Sequence, residues 1–254
     1  QALYKIVDGS AVQQTIFDWA TANPTTPTAG DRWSIAEFGD FWVASNGQGV
    51  LFPRDGQIHW ASAPRIGMVG NWMDGRIVIG DFNSPAPNWP VDDEPPTPNW
   101  VWVSSVGGED FWRWFYASEF EQHGGSASPL NSGYDVLHGR GDEFNMLNQA
   151  AMRPMPTPGA VLYGKTLARN FVVYSEDGFA ILRSHEEGIV GLEAHQPIGL
   201  KSRAAIAGDD YEHVFVGVDD ALYRMTPEGA RRLGYEEYLA GRTDLVVTFD
   251  PLRR

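Results

Sequence analysis

The chain has 254 residues, 43% of them hydrophobic and 13% aromatic, which supplies a core for one large β domain or two small ones and excludes a disordered segment. With 33 acidic residues against 19 basic ones the formal charge is −14, which repels phosphate backbones and argues against sequence-specific nucleic-acid binding. No cysteine is present, so neither a disulfide framework nor a thiolate metal site is available, and no apolar run approaches the roughly 18 to 20 residues of a membrane-spanning helix.

The N-terminal "QALYKIVDGS" lacks the basic start and apolar run of a signal peptide, so synthesis in a cytoplasm is expected. From there strand signals dominate: short runs of Val, Ile, Phe, Tyr and Trp closed by Gly, Asp or Asn turns. "FGDFWVASNGQGVLF" predicts a strand from Phe41 to Ser45, a turn at Asn46-Gly47 and a second strand from Val50 to Phe52. "WMDGRIVIGDF" predicts a turn at Asp74-Gly75 and a strand from Arg76 to Gly80. "NSPAPNWPVDDEPPTPNW", residues 83–100, is proline-rich and predicts an extended arm, because proline donates no hydrogen bond to a sheet. "NWVWVSSVGGEDFWRWF" follows, with Trp100, Trp102, Trp112 and Trp114 on either side of a turn; in extended chain each pair shares one face. Residues 120–144 are rich in glycine and serine and read as a loop.

"ARNFVVYSEDGFAILRS" predicts strands from Asn170 to Tyr174 and Phe179 to Arg183 around a Glu176-Asp177-Gly178 turn. "YEHVFVGVDDALYRM" predicts His213 to Val218 and Leu222 to Met225 around Asp219-Asp220. In "TPEGARRLGYEEYLAG", Thr226 as N-cap and Pro227 at the first helical position predict a short helix or turn. Four of these stretches repeat one unit, with apolar centres at Val43, Val78, Val173 and Phe215 separated by 35, 95 and 42 residues. One further unit between Val78 and Val173 would even out the spacing to that of propeller blades. The fold expected is therefore all-β: a propeller of about five blades in a single domain over residues 1–254, its two chain ends joined at closure, with a β-sandwich of similar hairpins as the alternative.

The four indoles admit three readings: core, protein contact or sugar platform. "YSEDGFAI" is similar to the Asp-box turn of sialidases, which closes a propeller blade and is structural even there. The pairs Asp92-Asp93, Asp209-Asp210 and Asp219-Asp220 do not follow calcium-loop spacing and read as turns. His59, His123, His138, His185, His195 and His213 form no zinc motif, and Arg140-Gly141-Asp142 reads as a turn. No nucleophile elbow or phosphate-binding glycine loop is present, so no catalytic residue, cofactor or metal is assigned.

The succession "WSIAEFGDFWVASNGQGVLF", "ASAPRIGMVGNWMDGRIVIGDF", "PNWVWVSSVGGEDFW", "ARNFVVYSEDGFAILR" and "VFVGVDDALYRM" resembles β-propeller structural proteins of tailed-bacteriophage particles across residues 31–240. That resemblance implies a virion protein, nozzle- or adaptor-like, at the tail or the head-to-tail junction. Its partners would be copies of itself in a ring around the DNA path and other tail or connector proteins. The contact surface expected on this reading comprises Trp89, Trp100, Trp102, Trp112 and Trp114. A carbohydrate-binding host-recognition propeller, and behind it a glycoside hydrolase, are the alternatives.

Overall fold

The computed structural model describes residues 3–7, 10–18, 21–30, 32–38, 41–54, 56–62, 65–72, 75–84, 98–103, 151–184 and 190–250. It is nearly all β, divided among several small sheets. β1 (Tyr4–Val7) and β2 (Ser10–Gln13) form a two-stranded hairpin of their own. β3 (Ile16–Asp18) and β4 (Pro24–Thr25) follow. Then come four antiparallel meanders of four strands each.

The first meander is β5 (Ser34–Phe38), β6 (Phe41–Ser45), β7 (Val50–Arg54) and β8 (Gln57–Ala61). The second is β9 (Arg65–Trp72), β10 (Arg76–Ser84), β11 (Trp100–Val103) and β12 (Ala151–Pro154). The third is β13 (Val161–Leu167), β14 (Asn170–Ser175), β15 (Phe179–Ser184) and β16 (Val190–Gln196). The fourth is β17 (Ile206–Gly208), β18 (His213–Val216), β19 (Leu222–Thr226) and β20 (Gly229–Gly234), followed by the one-turn helix α1 (Glu236–Leu239).

Val43, Val78, Val173 and Phe215 each sit in the second strand of a meander and are fully buried. A central strand is covered on both faces, which is why these strands read as continuous apolar runs. The cover comes from neighbouring sheets. Val78, Trp72 and Val101 of the second sheet share a core with Val161, Phe171 and Val173 of the third. Val172, Tyr174 and Phe179 of the third share another with Ile206, Phe215 and Met225 of the fourth. Each such side chain contributes roughly 1.5–3 kcal/mol of transfer free energy, so the sheets hold one another as much as they hold themselves.

The first strands of successive sheets lie side by side, β5 against β9 and β9 against β13. Gly70 on β9 makes this approach close: a Cβ there would lie 2.6 Å from the Phe171 ring and 3.0 Å from the Gly164 carbonyl oxygen. Side chains then bond across the seams to backbone. Ser34 Oγ donates to the Val69 carbonyl at 2.7 Å, Thr166 Oγ1 to that of Asn71 at 2.8 Å, and Trp72 Nε1 to that of Arg169 at 2.8 Å.

Four meanders are described where about five blades were expected, and closure is not seen: among the described residues no sheet closes into a ring and no strand joins the two chain ends. β3 pairs in parallel with β8, so the N-terminal strands extend the first sheet instead. Of the wide gap between Val78 and Val173, the described part belongs to the second meander, and residues 104–150, where a further unit would fall, lie outside the described residues. β11 and β12 both belong to the second meander, and residues 104–150 are inserted between them. Asn83 and Ser84 close β10 and Trp100 opens β11; the rest of the expected arm, 85–97, lies outside the described residues. Of the short helix or turn expected at Thr226, the turn is present, at Pro227-Glu228, but Thr226 is not an N-cap: it pairs with Gly229 in the β19–β20 hairpin, and its Oγ1 donates to Glu228 Oε2 at 2.6 Å. The helix begins ten residues later, at Glu236.

Candidate functional site

The first strands of all four meanders line one cavity of about 350 Å³. Residues 32–35 enter it from β5 and the residues before it, β9 contributes Asn71, β13 contributes Tyr163 and Lys165, and β17 with its preceding loop contributes Arg203. Phe249, near the C-terminal end of the described chain, also lines it. The segment that carries Phe249 is anchored two residues earlier, where Val247 N donates to the Ala204 carbonyl at 2.9 Å.

Arg203 is the cross-tie of this cavity. Its guanidinium donates through Nη1 to the Gly67 carbonyl of β9 and through Nη2 to the Asp81 carboxylate of β10. Asp81 lies in β10 with φ +58°, a left-handed conformation rare for a residue with a side chain, and the β9–β10 register slips beyond it, between Phe82 and Ser84. Its side chain, 4% exposed, meets a cation from the loop before the fourth sheet. Burial raises the Asp81 carboxyl above the ordinary carboxylate range, opposed by the Arg203 charge and hydrogen bond. Gly67 leaves the room that the pair occupies, because a Cβ at that position would collide with Asp81 Oδ2 and with both terminal nitrogens of Arg203.

A second polar chain joins the third and fourth sheets. His213 Nε2 lies 3.0 Å from the Thr166 carbonyl oxygen and Nδ1 lies 2.8 Å from Tyr174 Oη. The carbonyl can only accept, so Nε2 carries the proton and Nδ1 accepts from the tyrosine hydroxyl. Both nitrogens are thus satisfied by the neutral ring, and burial lowers the His213 pKa from 6.5 to about 4. Burial also raises the Tyr174 phenol well above 10.

The Ser175-Glu176-Asp177-Gly178 turn is a structural hub. Ser175 Oγ donates to the Gly178 carbonyl at 2.9 Å and lies 2.9 Å from Thr157 Oγ1, while Ser175 O accepts from Leu200 N at 2.9 Å. The Asp209 carboxylate accepts from the amides of Tyr211 and Glu212, and Asp219 accepts from Ala221 N and Tyr223 Oη, so both serve their own turns. Lys201, beside Asp220, holds that carboxyl below its usual range through their hydrogen bond.

Of the expected contact residues, Trp102 is corrected: it is 0% exposed and fills the core, where its backbone registers with Ile79 and Met152. Trp100, two residues earlier on the same strand, is half-buried. Trp89, Trp112 and Trp114 lie outside the described residues, as do His123, His138, His185, Asp92-Asp93 and Arg140-Gly141-Asp142. Sequence reasoning missed the cavity altogether. The signal available was Gly80-Asp81 interrupting an apolar strand, a break in the pattern where Asp81 adopts φ +58°.

Among the described residues no helix is long and apolar enough to cross a membrane. Neither models of known protein families nor curated proteins give a match to this chain.

Proposed function

We propose that this chain is a structural, assembly-forming protein of a tailed-bacteriophage particle, its four meanders acting as propeller blades around the central cavity. The observation that carries the assembly reading is the β1–β2 hairpin. Every residue in both strands is exposed, including Tyr4 at 54% and Ile6 at 66%. A two-stranded ribbon with no third strand is marginal in water, and apolar side chains on such an arm favour docking on another surface.

The partner this reading commits to is a second copy of the chain, repeated around a ring. In a molecule of charge −14, the stretch from Leu3 to Gln14 carries only Lys5 and Asp8 and has no net charge. It can approach an acidic neighbour without the repulsion that the rest of the surface would meet. The sequence resemblance supplies the phage context. Burial of Trp102 removes one support of the carbohydrate-binding alternative.

The test is the mass of the purified chain by light scattering across a concentration range, with electron-microscope images of the same sample. Rings or discrete oligomers are expected, dissociated by the double substitution Tyr4→Ser/Ile6→Ser without a change in melting temperature. A mass of 28.1 kDa at every concentration would overturn self-assembly. Oligomers that persist unchanged in the double variant would overturn the hairpin's role.

A further inference from the structure

We propose that the cavity between the four first strands binds a small phosphate-bearing anion, held by Arg32 and Lys165 with the Tyr163 hydroxyl as a third donor. The inference does not depend on the assembly reading, because every residue involved belongs to one copy of the chain.

The first argument is charge. Acidic residues outnumber basic ones by 33 to 19, so a cation in this chain has carboxylates in excess to choose from. Yet the described lining of the cavity contains Arg32, Lys165 and Arg203 and no carboxylate. Arg203 is neutralised from behind the wall by Asp81. That leaves the exposed Arg32 and the half-buried Lys165 on one pocket open to solvent, with no acidic residue in its described lining. A cleft lined by one sign of charge with low-dielectric walls concentrates its field on counter-ions.

The second argument is placement. Lys165 Nζ donates to the Gly208 carbonyl at 2.9 Å, which holds the ammonium between β13 and β17. A carbonyl fixes the group without neutralising it, and an ammonium has three donors. Tyr163, from the same strand as Lys165, senses Arg32: burial raises its phenol and the Arg32 charge lowers it. Tyr163 and Lys165 of β13 and Arg32, two residues before β5, all line the same pocket.

The third argument is size and match. About 350 Å³ falls at the lower end of small-ligand pockets and exceeds what a bare phosphate needs. Leu162, Ile206 and Phe249 give the remaining space an apolar wall. A phosphate monoester carries nearly two negative charges at neutral pH, which balances Arg32 and Lys165, and its oxygens can accept from all three donors.

The test is titration calorimetry and thermal denaturation of the full chain at low ionic strength, with inorganic phosphate, glucose 6-phosphate and acetate, each against sodium chloride of equal ionic strength. Phosphate and glucose 6-phosphate are expected to bind and raise the melting temperature, the sugar phosphate more strongly. Arg32→Gln and Lys165→Gln should each weaken binding about tenfold or more, as expected for loss of a charge-assisted hydrogen bond. Arg32→Gln should leave the unliganded melting temperature unchanged, and both variants should leave the mass in solution unchanged. Stabilisation no greater than that of matched chloride, or equal binding by both variants, would overturn the proposal. Acetate acting as strongly as phosphate would overturn the phosphate assignment in favour of a carboxylate ligand.

Discussion

Arg203 and Asp81 are 122 positions apart in the chain and form an ion pair that ties the loop before the fourth sheet to the second strand of the second sheet. The carboxylate side chain is 4% exposed, so the pair is screened weakly by water. Its removal has a cost that depends on which partner is removed.

Arg203→Met leaves Asp81 buried without its counter-ion, and a loss of about 3–5 kcal/mol is expected for breaking a buried pair from one side. The check is the urea midpoint at neutral pH. Burial already raises the Asp81 carboxyl, so the folded state holds its proton more tightly than the unfolded state. A group of that kind favours folding most at low pH and loses that contribution as pH rises through its folded pKa. Without Arg203 the pKa rises further. The deficit of the single variant should therefore shrink on acidification, and Arg203→Met/Asp81→Asn should recover most of it at neutral pH.

Gly67→Ala places a methyl group where the ion pair now sits. Either the pair separates or β9 shifts, and about 1–3 kcal/mol is the usual cost of overpacking. The cost should add only in part to that of Arg203→Ala, since that variant removes two of the three atoms the methyl meets and releases the Asp81 carboxylate from its partner. A double-mutant cycle in urea decides between coupling and independence.

His213 predicts acid sensitivity. Its folded pKa is depressed to about 4 from 6.5, so its contribution is complete above 6.5 and is lost as pH falls through the folded value. The full loss corresponds to about 3 kcal/mol. His213→Gln keeps a neutral donor and acceptor but has no titration, and its midpoint should be flatter than that of the parent between those two values. Identical slopes would show that other groups control acid stability.

Much of the fold was legible because a central strand announces itself. Val43, Val78, Val173 and Phe215 stand in runs dense in β-branched and aromatic residues, each next to a turn of Gly, Asp or Asn, and each lies in a second strand. The edge strands were harder to read. β17 has three residues and β12 is separated from its partner by an insertion longer than the meander itself, so neither has a pattern to recognise. The cavity was invisible for a different reason: Arg32, Lys165 and Arg203 are far apart in the chain, and nothing in their neighbours indicates that they meet. The tryptophan alternation correctly put Trp100 and Trp102 on one face, but alternation does not tell which face a neighbouring sheet will cover.

Trp102→Ala should cost about 3–5 kcal/mol, the range for removing a large aromatic side chain from a core. The fraction that remains folded should self-associate as the parent does. Loss of association in a variant of unchanged melting temperature would return Trp102 to the contact surface, against its burial.

The pairing of Val103 with Ala151 means that the chain leaves the second sheet and re-enters it at directly opposed positions. Opposed residues in an antiparallel pair are only about 5 Å apart, so the two ends of the join already meet the geometric demand that a domain with neighbouring termini places on its host. The four register pairs from Trp100–Pro154 to Val103–Ala151 are what would hold the host strands together around such a graft.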